Sequence, residues 1–296
     1  MMVTVFTPTY NRKHILPQLY KSLQNQTCKL FEWLIVDDGS IDGTEEMVNN
    51  WINTEDQFPI RYYKVRNGGK MRAINYGVSL AKGEFFCGID SDDCFYNDAI
   101  FAILQAFEGI RSLDNMIGVS FSKAFKDRSP LNQTTMIDEY VDCRNYERNY
   151  YGLNGDMIQV FYTNMMRKYV IPVWEDEKFT PEAVFIDTMA LDGYKLRYFK
   201  KIVYFGDYLD DGLSSGSWRL LRDNPMGYAM MYNVKMRIHD NLKLKLNDVL
   251  QFVCCCCVKG EFRYMFKSNS LLWTLLLFIP GCILALRRKI QFKKYC

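Results

Sequence analysis

Residues 84–93 read EFFCGIDSDD, an apolar run that ends in three carboxylates within four residues. The run is short and rich in aromatic side chains, which predicts a buried strand. Asp90, Asp92 and Asp93 would then lie at the carboxyl end of that strand, where ligands bind in open α/β sheets. Carboxylate oxygens suit a hard divalent cation, Mg²⁺ or Mn²⁺, and such a cation commonly bridges them to substrate phosphates. The stretch therefore predicts a metal site or, as the alternative, a solvated turn before a helix that Asn97 caps.

The length and composition of the chain predict a packed globular protein. Its 296 residues are 49% hydrophobic, enough for one large domain or for one domain with an appendage. The net charge of +3 gives no argument for a nucleic-acid partner. Four consecutive cysteines at 254–257 lack metal-site spacing and predict apolar packing or lipidation near a membrane. No basic leader precedes the first strand, so we expect a reducing cytosol.

Strand-like and helix-like segments alternate over the first part of the chain. Apolar runs at 3–6, 31–36, 60–65 and 85–89 are each separated by a segment with helical apolar spacing. This alternation is typical of an α/β fold with a doubly wound, mostly parallel central sheet flanked by helices. A further strand is predicted at 116–121.

Polar residues follow three of the predicted strands. They read TPTYNR at 7–12, DDGS at 37–40 and DSDD at 90–93. If the strands are parallel, all three clusters lie at one edge of the sheet. Gly68-Gly69-Lys70 opens the helix after the third strand and predicts a phosphate-binding helix start or, as the alternative, an ordinary turn. The pattern predicts one pocket with acids, a metal ion and a place for phosphate.

The second half of the chain is less regular. Residues 123–155 are polar and tyrosine-rich, which predicts a long loop or insertion at the binding edge. A helix start is predicted with Thr180 as cap, Pro181 in the first helical position and Glu182 in the first turn, where Glu182 can simply complement the helix dipole. A polar loop is predicted at 208–214, and helices from Pro225 onward.

The C-terminal segment 271–286 is almost wholly apolar and precedes a basic tail that starts with Arg287, Arg288 and Lys289. It is short for a straight bilayer span. Pro280-Gly281 in its middle predicts a kinked or re-entrant helical hairpin. We expect peripheral or monotopic membrane attachment through 271–296, with the basic tail on anionic lipid of the cytoplasmic leaflet. A buried core helix is the alternative.

These motifs together resemble the family 2 glycosyltransferases, whose fold is called GT-A. The resemblance rests on residues 7–12, on VDDGS at 36–40, on Gly69-Lys70 and on the Asp-x-Asp motif at 90–92, in the family's order. Residues 155–214 are similar to a bacterial polysaccharide-biosynthesis branch of that family. We predict a glycosyltransferase domain over 1–222, with a nucleotide-binding half at 1–110 and an acceptor half at 111–222. A helical region would follow at 223–296.

The resemblance implies an inverting, metal-dependent hexosyl- or N-acetylhexosaminyltransferase. It would move a sugar from a nucleotide-sugar donor to a glycan or lipid-linked glycan, and a UDP-sugar is the first candidate for the donor. The transfer would belong to cell-surface polysaccharide synthesis and take place at the cytoplasmic face of the inner membrane. Asp92 would be the main ligand of Mn²⁺ or Mg²⁺, with Asp90, and the cation would neutralise the departing diphosphate. The implied donor-binding residues are Thr7, Pro8, Tyr10, Asp38, Lys70, Asp90 and Ser91.

Inverting transfer needs a general base for the acceptor hydroxyl. The resemblance places it on an acid in the second half of the domain, so Glu182 is the candidate and Asp187 the alternative. The family's Glu-Asp pair is Glu182-Ala183 in this chain. Asp156, which follows Gly155, is expected to bind acceptor hydroxyls.

Two other functions are left open by the sequence. A sugar nucleotidyltransferase shares the sheet and the metal, but it would need a Gly-rich basic loop after the first strand, and 7–12 contains no glycine. The other is a non-catalytic scaffold with the same fold. Such a protein would have no transfer activity, so the Asp92→Asn variant could not abolish any.

Overall fold

The structure is a computed structural model that describes residues 2–131, 134, 136–208 and 217–294. The chain divides into two compact units. We call Met1–Val170 with Gly193–Asp207 the sheet unit, and Ile171–Asp192 with Tyr208–Cys296 the helical unit. The domain boundary at residue 222 stays a prediction.

The sheet unit contains nine strands and five α-helices within the described ranges. The strands are β1 Val3–Thr9, β2 Phe31–Asp37, β3 Ile60–Lys64, β4 Phe85–Gly88, β5 Cys94–Phe95, β6 Met116–Ala124, β7 Tyr140–Cys143, β8 Met157–Tyr162 and β9 Lys195–Phe205. The helices are α1 Leu16–Gln24, α2 Thr44–Thr54, α3 Lys70–Leu80, α4 Ala99–Glu108 and α5 Thr163–Lys168.

The strands form one mixed sheet with the order β3-β2-β1-β4-β8-β6-β9-β5, and β7 pairs with β9. The first four strands are parallel, as are β6 and β9. β8 runs antiparallel to β4 and β6, and β9 pairs antiparallel with β5 and β7. The prediction of a mostly parallel sheet is therefore correct for β1–β4 and wrong for the whole sheet. Regular strand–helix alternation ends with α4, and antiparallel pairs need no helical crossover.

β1 and β2 are buried along almost their whole length, because both strands are covered on two faces. Even polar side chains such as Thr4 and Glu32 are buried there. α3 approaches β1 closely at Gly77, where a Cβ atom would lie 2.1 Å from the ring of Phe6. α4 stacks Phe107 on Phe85 of β4 with 3.7 Å between ring centroids. Closely packed side chains from α3 and α4 thus support β1 and β4 of the sheet.

The segment predicted as a long polar loop at 123–155 contains regular structure. It includes β7 and a 3₁₀ helix at Asn145–Tyr151. Arg197 of β9 binds Asp142 through two hydrogen bonds of 2.7 and 2.6 Å and lies 4.0 Å from the centroid of the Tyr140 ring. The prediction of an irregular loop is therefore wrong for 140–151, because cross-strand contacts order it. Residues 132, 133, 135 and most of the predicted 208–214 loop lie outside the described residues.

The helical unit packs its helices around an apolar cluster that includes Met226, Val249 and Phe252. Its described elements are α6 Ala183–Leu191, α7 Ser217–Asp223, α8 Pro225–Ile238, α9 Leu242–Lys259, a 3₁₀ helix Phe262–Lys267, α10 Leu271–Leu276 and α11 Phe278–Lys294. The cysteines at 254–256 are buried in α9, and burial raises the pKa of the Cys254 thiol. Apolar packing, one of the two predicted roles, is what the structure gives them.

The C-terminal segment breaks at Leu277, between α10 and α11, and not at Pro280-Gly281. Pro280 lies in the first turn of α11, where a missing N–H costs no helical bond. Gly281 lets α11 approach α9, because a Cβ atom there would lie 2.3 Å from Val253 Cγ1. None of the helices in the described part of the chain is both long and apolar enough to cross a membrane.

α10 and α11 expose one apolar side. Leu272 is 69% exposed and Ile279 is 71% exposed, and exposed apolar residues recur three or four positions apart. We call this set the apolar stripe: Leu272, Leu275, Leu276, Ile279, Ile283, Leu286 and Ile290. The alternative of a buried core helix is therefore wrong for this side of the helices. Attachment to a membrane stays a prediction.

Candidate active site

The ends of β2, β1 and β4 meet at one edge of the sheet. Thr9 of β1 pairs with Asp37 of β2, and the N–H of Asp38 donates to the Thr9 carbonyl at 2.8 Å. On the other side of β1, the N–H of Ile89 donates to the Phe6 carbonyl at 2.9 Å. Neighbouring strands lie about 4.8 Å apart, so Tyr10, Asp38 and Asp90 lie close together. The structure thus brings the three polar clusters together, as the sequence predicts.

Asn11 ties the ends of β1 and β2 together. Its N–H donates to Ser40 Oγ at 2.8 Å, and its Oδ1 accepts from the Ile41 N–H at 2.9 Å. Its φ of 53° lies in the left-handed region, which asparagine tolerates better than most residues. Sequence reasoning missed this role, although asparagine in a turn after a strand is a usable signal.

Residues 7–10 differ in exposure. Tyr10 is 49% exposed and presents a ring at the edge, and Pro8 is half-buried. Thr7 is fully buried, and its hydroxyl accepts a 3.0 Å hydrogen bond from the indole N–H of Trp33. The Thr7 side chain therefore belongs to the core and supports the strand, whereas Tyr10 is available to a ligand.

Asp38 holds the turn before α3. Its carboxylate accepts from the N–H groups of Gly68 at 2.7 Å and Gly69 at 2.8 Å, and from Asn67 Nδ2 at 3.1 Å. Gly69 has a φ of 95°, a conformation that glycine adopts without strain. Asp38 thereby positions Lys70 at the start of α3. The role of Asp38 in donor binding stays a prediction.

Lys70 and Asp90 form an ion pair at 2.8 Å. Desolvation acts to raise the pKa of Asp90, but the cations Lys70, Lys123 and Arg12 together outweigh it, and the net pKa lies below the ordinary value. Asp90 is therefore an ionised, half-exposed carboxylate that already has a cationic partner.

Asp92 and Asp93 have different surroundings. Asp93 is buried and pairs with Lys123 at 2.8 Å. Burial raises the pKa of Asp93 to about 7, and Lys123 offsets only part of that effect. A Cβ atom at Gly206 would lie 1.9 Å from Asp93 Oδ1, so Gly206 makes room for this pair. Asp93 is held in this buried pair, whereas Asp92, which follows buried Ser91, is half-buried and is the more accessible of the two carboxylates.

The carboxylate oxygens at this edge of the sheet fit a cation that the chain shares with a phosphate group. No group of three histidine, cysteine or acidic side chains in the described residues is arranged to hold a metal ion alone. Asp90 and Asp92 nevertheless supply carboxylate oxygens, and Mg²⁺ is usually bound by one or two carboxylates together with substrate phosphates. The residues suit a cation that the chain and a diphosphate hold together.

Asp156 lies at the same edge. It directly precedes β8, which runs antiparallel to β4 with Cys87 opposite Val160. β8 therefore begins where β4 ends, beside the turn that carries Asp90. Asp156 is exposed there.

The candidate bases belong to the helical unit. α6 begins at Ala183, with Glu182 in the N-cap position. The Thr180 hydroxyl donates to the Pro172 carbonyl at 2.6 Å, so the prediction of Thr180 as the helix cap is wrong. Glu182 is exposed at the helix start, whereas Asp187 is buried inside α6.

The loop before Glu182 is fixed by the start of α8. Buried Glu177 accepts from the N–H groups of Met226 at 2.9 Å and Gly227 at 2.8 Å. Asn224 Oδ1 in turn accepts from the N–H groups of Lys178 and Phe179, both at 2.9 Å. The signal in the sequence was Asn224-Pro225, a typical helix start, but its long-range partner Glu177 could not be read from it.

Comparison with known proteins agrees with this architecture. Residues 4–173 match the model of glycosyl transferase family 2, which is more than half of the chain. The chain therefore belongs to glycosyl transferase family 2. An uncharacterized glycosyltransferase of Rickettsia felis is 40% identical over 106 residues, 36% of this chain and 17% of that protein.

A second relative is the GalNAc(5)-diNAcBac-PP-undecaprenol beta-1,3-glucosyltransferase of Campylobacter jejuni, 34% identical over 105 residues, 35% of this chain and 33% of that protein. The chain thus matches well under half the length of either relative. The crystal structure of S. aureus TarS 1-349 in complex with UDP-GlcNAc superposes with a TM-score of 0.62 at 16% identity, over 95% of this chain and 89% of that one. This likeness establishes a GT-A-like α/β fold with a mixed sheet flanked by helices.

Proposed function

We propose that the chain is an inverting glycosyltransferase that transfers a sugar from a nucleotide-diphosphate sugar to a glycan acceptor. A UDP-sugar is the first candidate for the donor. The observation that carries the proposal is the convergence of Tyr10, Asp38 and Asp90 at one strand edge, beside the Lys70 helix start. Membership of the family supports sugar transfer. UDP-GlcNAc bound to the similarly folded TarS supports the choice of UDP.

Donor binding is assigned to the edge of the sheet unit. The exposed Tyr10 ring packs against the nucleoside, with Pro8 beside it and Thr7 as support from the core. Asp38 accepts from the base, while it keeps the 67–69 turn in place. Lys70 approaches the diphosphate from the α3 N-terminus, where backbone N–H groups also favour anions. Ser91 and Asp90 bind the ribose side.

A divalent cation, Mn²⁺ or Mg²⁺, would neutralise charge on the departing diphosphate when bound. Asp92 is its main proposed ligand, because the Asp90 carboxylate is already paired with Lys70 at 2.8 Å. Asp90 is the second ligand.

Deprotonation of the acceptor hydroxyl is assigned to Glu182, with Asp187 as the alternative. Exposure at the start of α6 favours Glu182, since a general base must reach the acceptor hydroxyl directly or through one water. The Glu177 and Asn224 contacts hold the loop that presents it. Asp156, which directly precedes β8, binds acceptor hydroxyls. It lies at the end of the β4–β8 pair that is opposite to α5.

The acceptor is proposed to be a lipid-linked glycan at the cytoplasmic face of the inner membrane. The apolar stripe faces away from the core of the helical unit, and exposed Arg287, Lys289 and Lys293 flank it. An exposed apolar helix face with basic neighbours is typical of helices that lie in an anionic membrane surface. The Campylobacter relative is named for a glycan on undecaprenyl diphosphate, which supports the same acceptor class.

Donor binding can be tested by thermal shift with a panel of UDP-, GDP- and dTDP-sugars and Mn²⁺. A ligand of the folded state raises the Tm by an amount that grows with the logarithm of its concentration divided by its Kd, so we expect a rise with a UDP-sugar and Mn²⁺ together. Asp92→Asn should abolish the rise and the release of UDP, while Asp114→Asn, an exposed aspartate elsewhere, should change neither. A protein that no nucleotide sugar stabilises, or an active Asp92→Asn variant, contradicts the proposal.

Membrane attachment can be tested by sedimentation with vesicles that contain phosphatidylglycerol. Ile279→Asp places a charge in the apolar stripe and should release the protein into the supernatant. Ile137→Asp makes the same change at a residue that is 95% exposed in the sheet unit and should leave sedimentation unchanged. Equal sedimentation of both variants and the wild type, or of a chain without 271–296, rules out this surface.

A further inference from the structure

An open groove lies at the edge of the sheet unit where the strands end, apart from the proposed donor-binding residues. Its volume is about 920 Å³. It is lined by α1, by β5 and the residues after it, by the turn after β6 and by Phe205 at the end of β9. β5 begins two residues after Asp92, so the groove starts beside the proposed metal ligand. Tyr10, Asp38, Lys70 and Asp90 do not line it.

The groove is basic. Lys21, Lys126 and Arg128 line it, and Asp98 is the acidic side chain among the lining residues. These side chains give a formal excess of two positive charges. Asp98 is paired with Lys201 at 2.6 Å, so its charge is already matched outside the groove.

The cations reach the groove from elements that are fixed in position. The Arg128 N–H donates to the Phe125 carbonyl at 2.9 Å, and the Lys126 N–H donates to Asp207 Oδ1 at 3.0 Å. The turn after β6 is therefore anchored on both sides. Lys21 projects from α1, whose Leu19 and Leu23 are fully buried in the core. The three cations thus share one groove and do not belong to a single mobile loop.

We propose that this groove binds a phosphate or phosphodiester group carried by the acceptor. Lysine and arginine side chains that converge on one groove recognise phosphate oxygens, and arginine can do so through two parallel hydrogen bonds. An anionic acceptor held here would extend from the groove toward the Asp90–Asp92 turn. The assignment to the acceptor rests on the proposed glycosyl transfer, whereas the binding of an anion to the groove does not.

The test is calorimetric titration of the whole chain in metal-free buffer with inorganic pyrophosphate and with long-chain polyphosphate. We expect Lys21→Gln, Lys126→Gln and Arg128→Gln each to weaken binding about tenfold, the size of one lost charge-assisted hydrogen bond. Lys82→Gln removes an exposed lysine outside the groove and should bind like the wild type. Lys70→Gln reports on the donor edge and should also retain groove binding.

The outcomes separate this inference from the proposed function. Equal affinity in the groove variants and the wild type, or a loss confined to Lys70→Gln, overturns the inference while donor binding can still stand. Groove variants that weaken binding to phosphatidylglycerol vesicles but not to the soluble phosphates overturn it as well. Groove-dependent phosphate binding without any donor-induced rise in Tm supports the groove and removes the proposed transfer.

The kinetic arm uses Arg128→Gln in a UDP-release assay with a phosphate-bearing acceptor. A groove that binds the acceptor predicts about a tenfold higher KM for that acceptor and an unchanged KM for the donor. An unchanged acceptor KM contradicts the acceptor assignment.

Discussion

The sheet unit buries Glu32 and the helical unit buries Glu177, and the net pKa shifts of the two carboxylates have opposite signs. Glu32 accepts from the Thr4 hydroxyl and the Lys82 N–H, both at 2.7 Å, and pairs with Arg61 at 2.9 Å. Desolvation acts to raise the pKa of Glu32, yet these bonds bring it below the ordinary value. Glu177 accepts two backbone N–H bonds, but burial still raises its pKa, and Lys259 lies 3.6 Å away.

The difference shows what each unit gains from a buried acid. The Thr4 hydroxyl, the Lys82 N–H and the Arg61 guanidinium together compensate the loss of hydration. Glu32 is therefore favoured in its ionised form and stabilises the sheet unit at neutral pH. Two N–H groups at a helix start do not compensate that loss of hydration, so Glu177 orders the loop before α6 at a cost in stability. The sheet unit builds a rigid edge, and the helical unit positions one loop.

The largest expected effect tests whether the positioned loop carries chemistry. Glu182→Gln removes the proposed base and should lower kcat by about 10²–10⁴-fold, the usual contribution of general base catalysis. The Tm should not change, because Glu182 is exposed. UDP release under donor and acceptor saturation measures the rate.

Asp187→Asn is the matched variant for this experiment. Asp187 is buried in α6, so its amide should lower the Tm and leave kcat within a few-fold of the wild type. A reversed pattern, in which Asp187→Asn loses the activity and Glu182→Gln keeps it, assigns the base to Asp187.

The next effect concerns Glu32. Glu32→Gln leaves Arg61 without its buried carboxylate and should cost about 3 kcal/mol of unfolding free energy at pH 7. Since the pKa of Glu32 is lowered in the folded state, its contribution is fully present above pH 4.5 and is lost as pH falls through the folded value. The difference between variant and wild type in urea midpoint should therefore shrink on acidification. A constant difference across pH shows that the cost is one of packing.

A smaller expected effect tests how closely α3 packs against β1. Gly77→Ala places a methyl group against the fully buried Phe6 ring and should cost about 2 kcal/mol, in spite of the better helix propensity of alanine. Gly88→Ala is the control for added bulk, because no atom lies within 4 Å of a Cβ there and its φ is outside the left-handed region. If Gly77→Ala is neutral in thermal unfolding, α3 is free to move away from β1.

How far the sequence predicts the molecule also differs between the two units. Apolar runs followed by polar clusters predicted β1–β4 and the meeting of Tyr10, Asp38 and Asp90, because the carboxyl ends of parallel strands lie at one edge of the sheet. The antiparallel insertion of β8 between β4 and β6 was not predicted, since long-range pairing leaves no local periodicity. The same limit hid the bond from Glu177 to the start of α8.

The apolar pattern at 271–290 shows another limit. Periodicity predicts that a helix has an apolar side, but it does not say what covers that side. In α1 the apolar residues Leu16, Leu19 and Leu23 are buried against the sheet, whereas Ile279 and Ile283 in α11 are exposed. Only the three-dimensional structure separates the two cases.

The smallest expected effect sharpens the comparison of the two buried glutamates. Glu177→Gln keeps the side-chain shape but offers one oxygen to two N–H donors, so it should cost about 1 kcal/mol at pH 4. Because burial raises the pKa of Glu177, the wild type loses stability as pH rises above 4.5 and the neutral glutamine does not. The penalty should therefore shrink as pH rises from 4 to 7, opposite to the trend for Glu32→Gln. Urea midpoints at pH 4 to 7 measure both trends. A parallel course for the two variants would mean that the contacts of Glu177 compensate its burial as well as the Thr4, Lys82 and Arg61 contacts compensate that of Glu32.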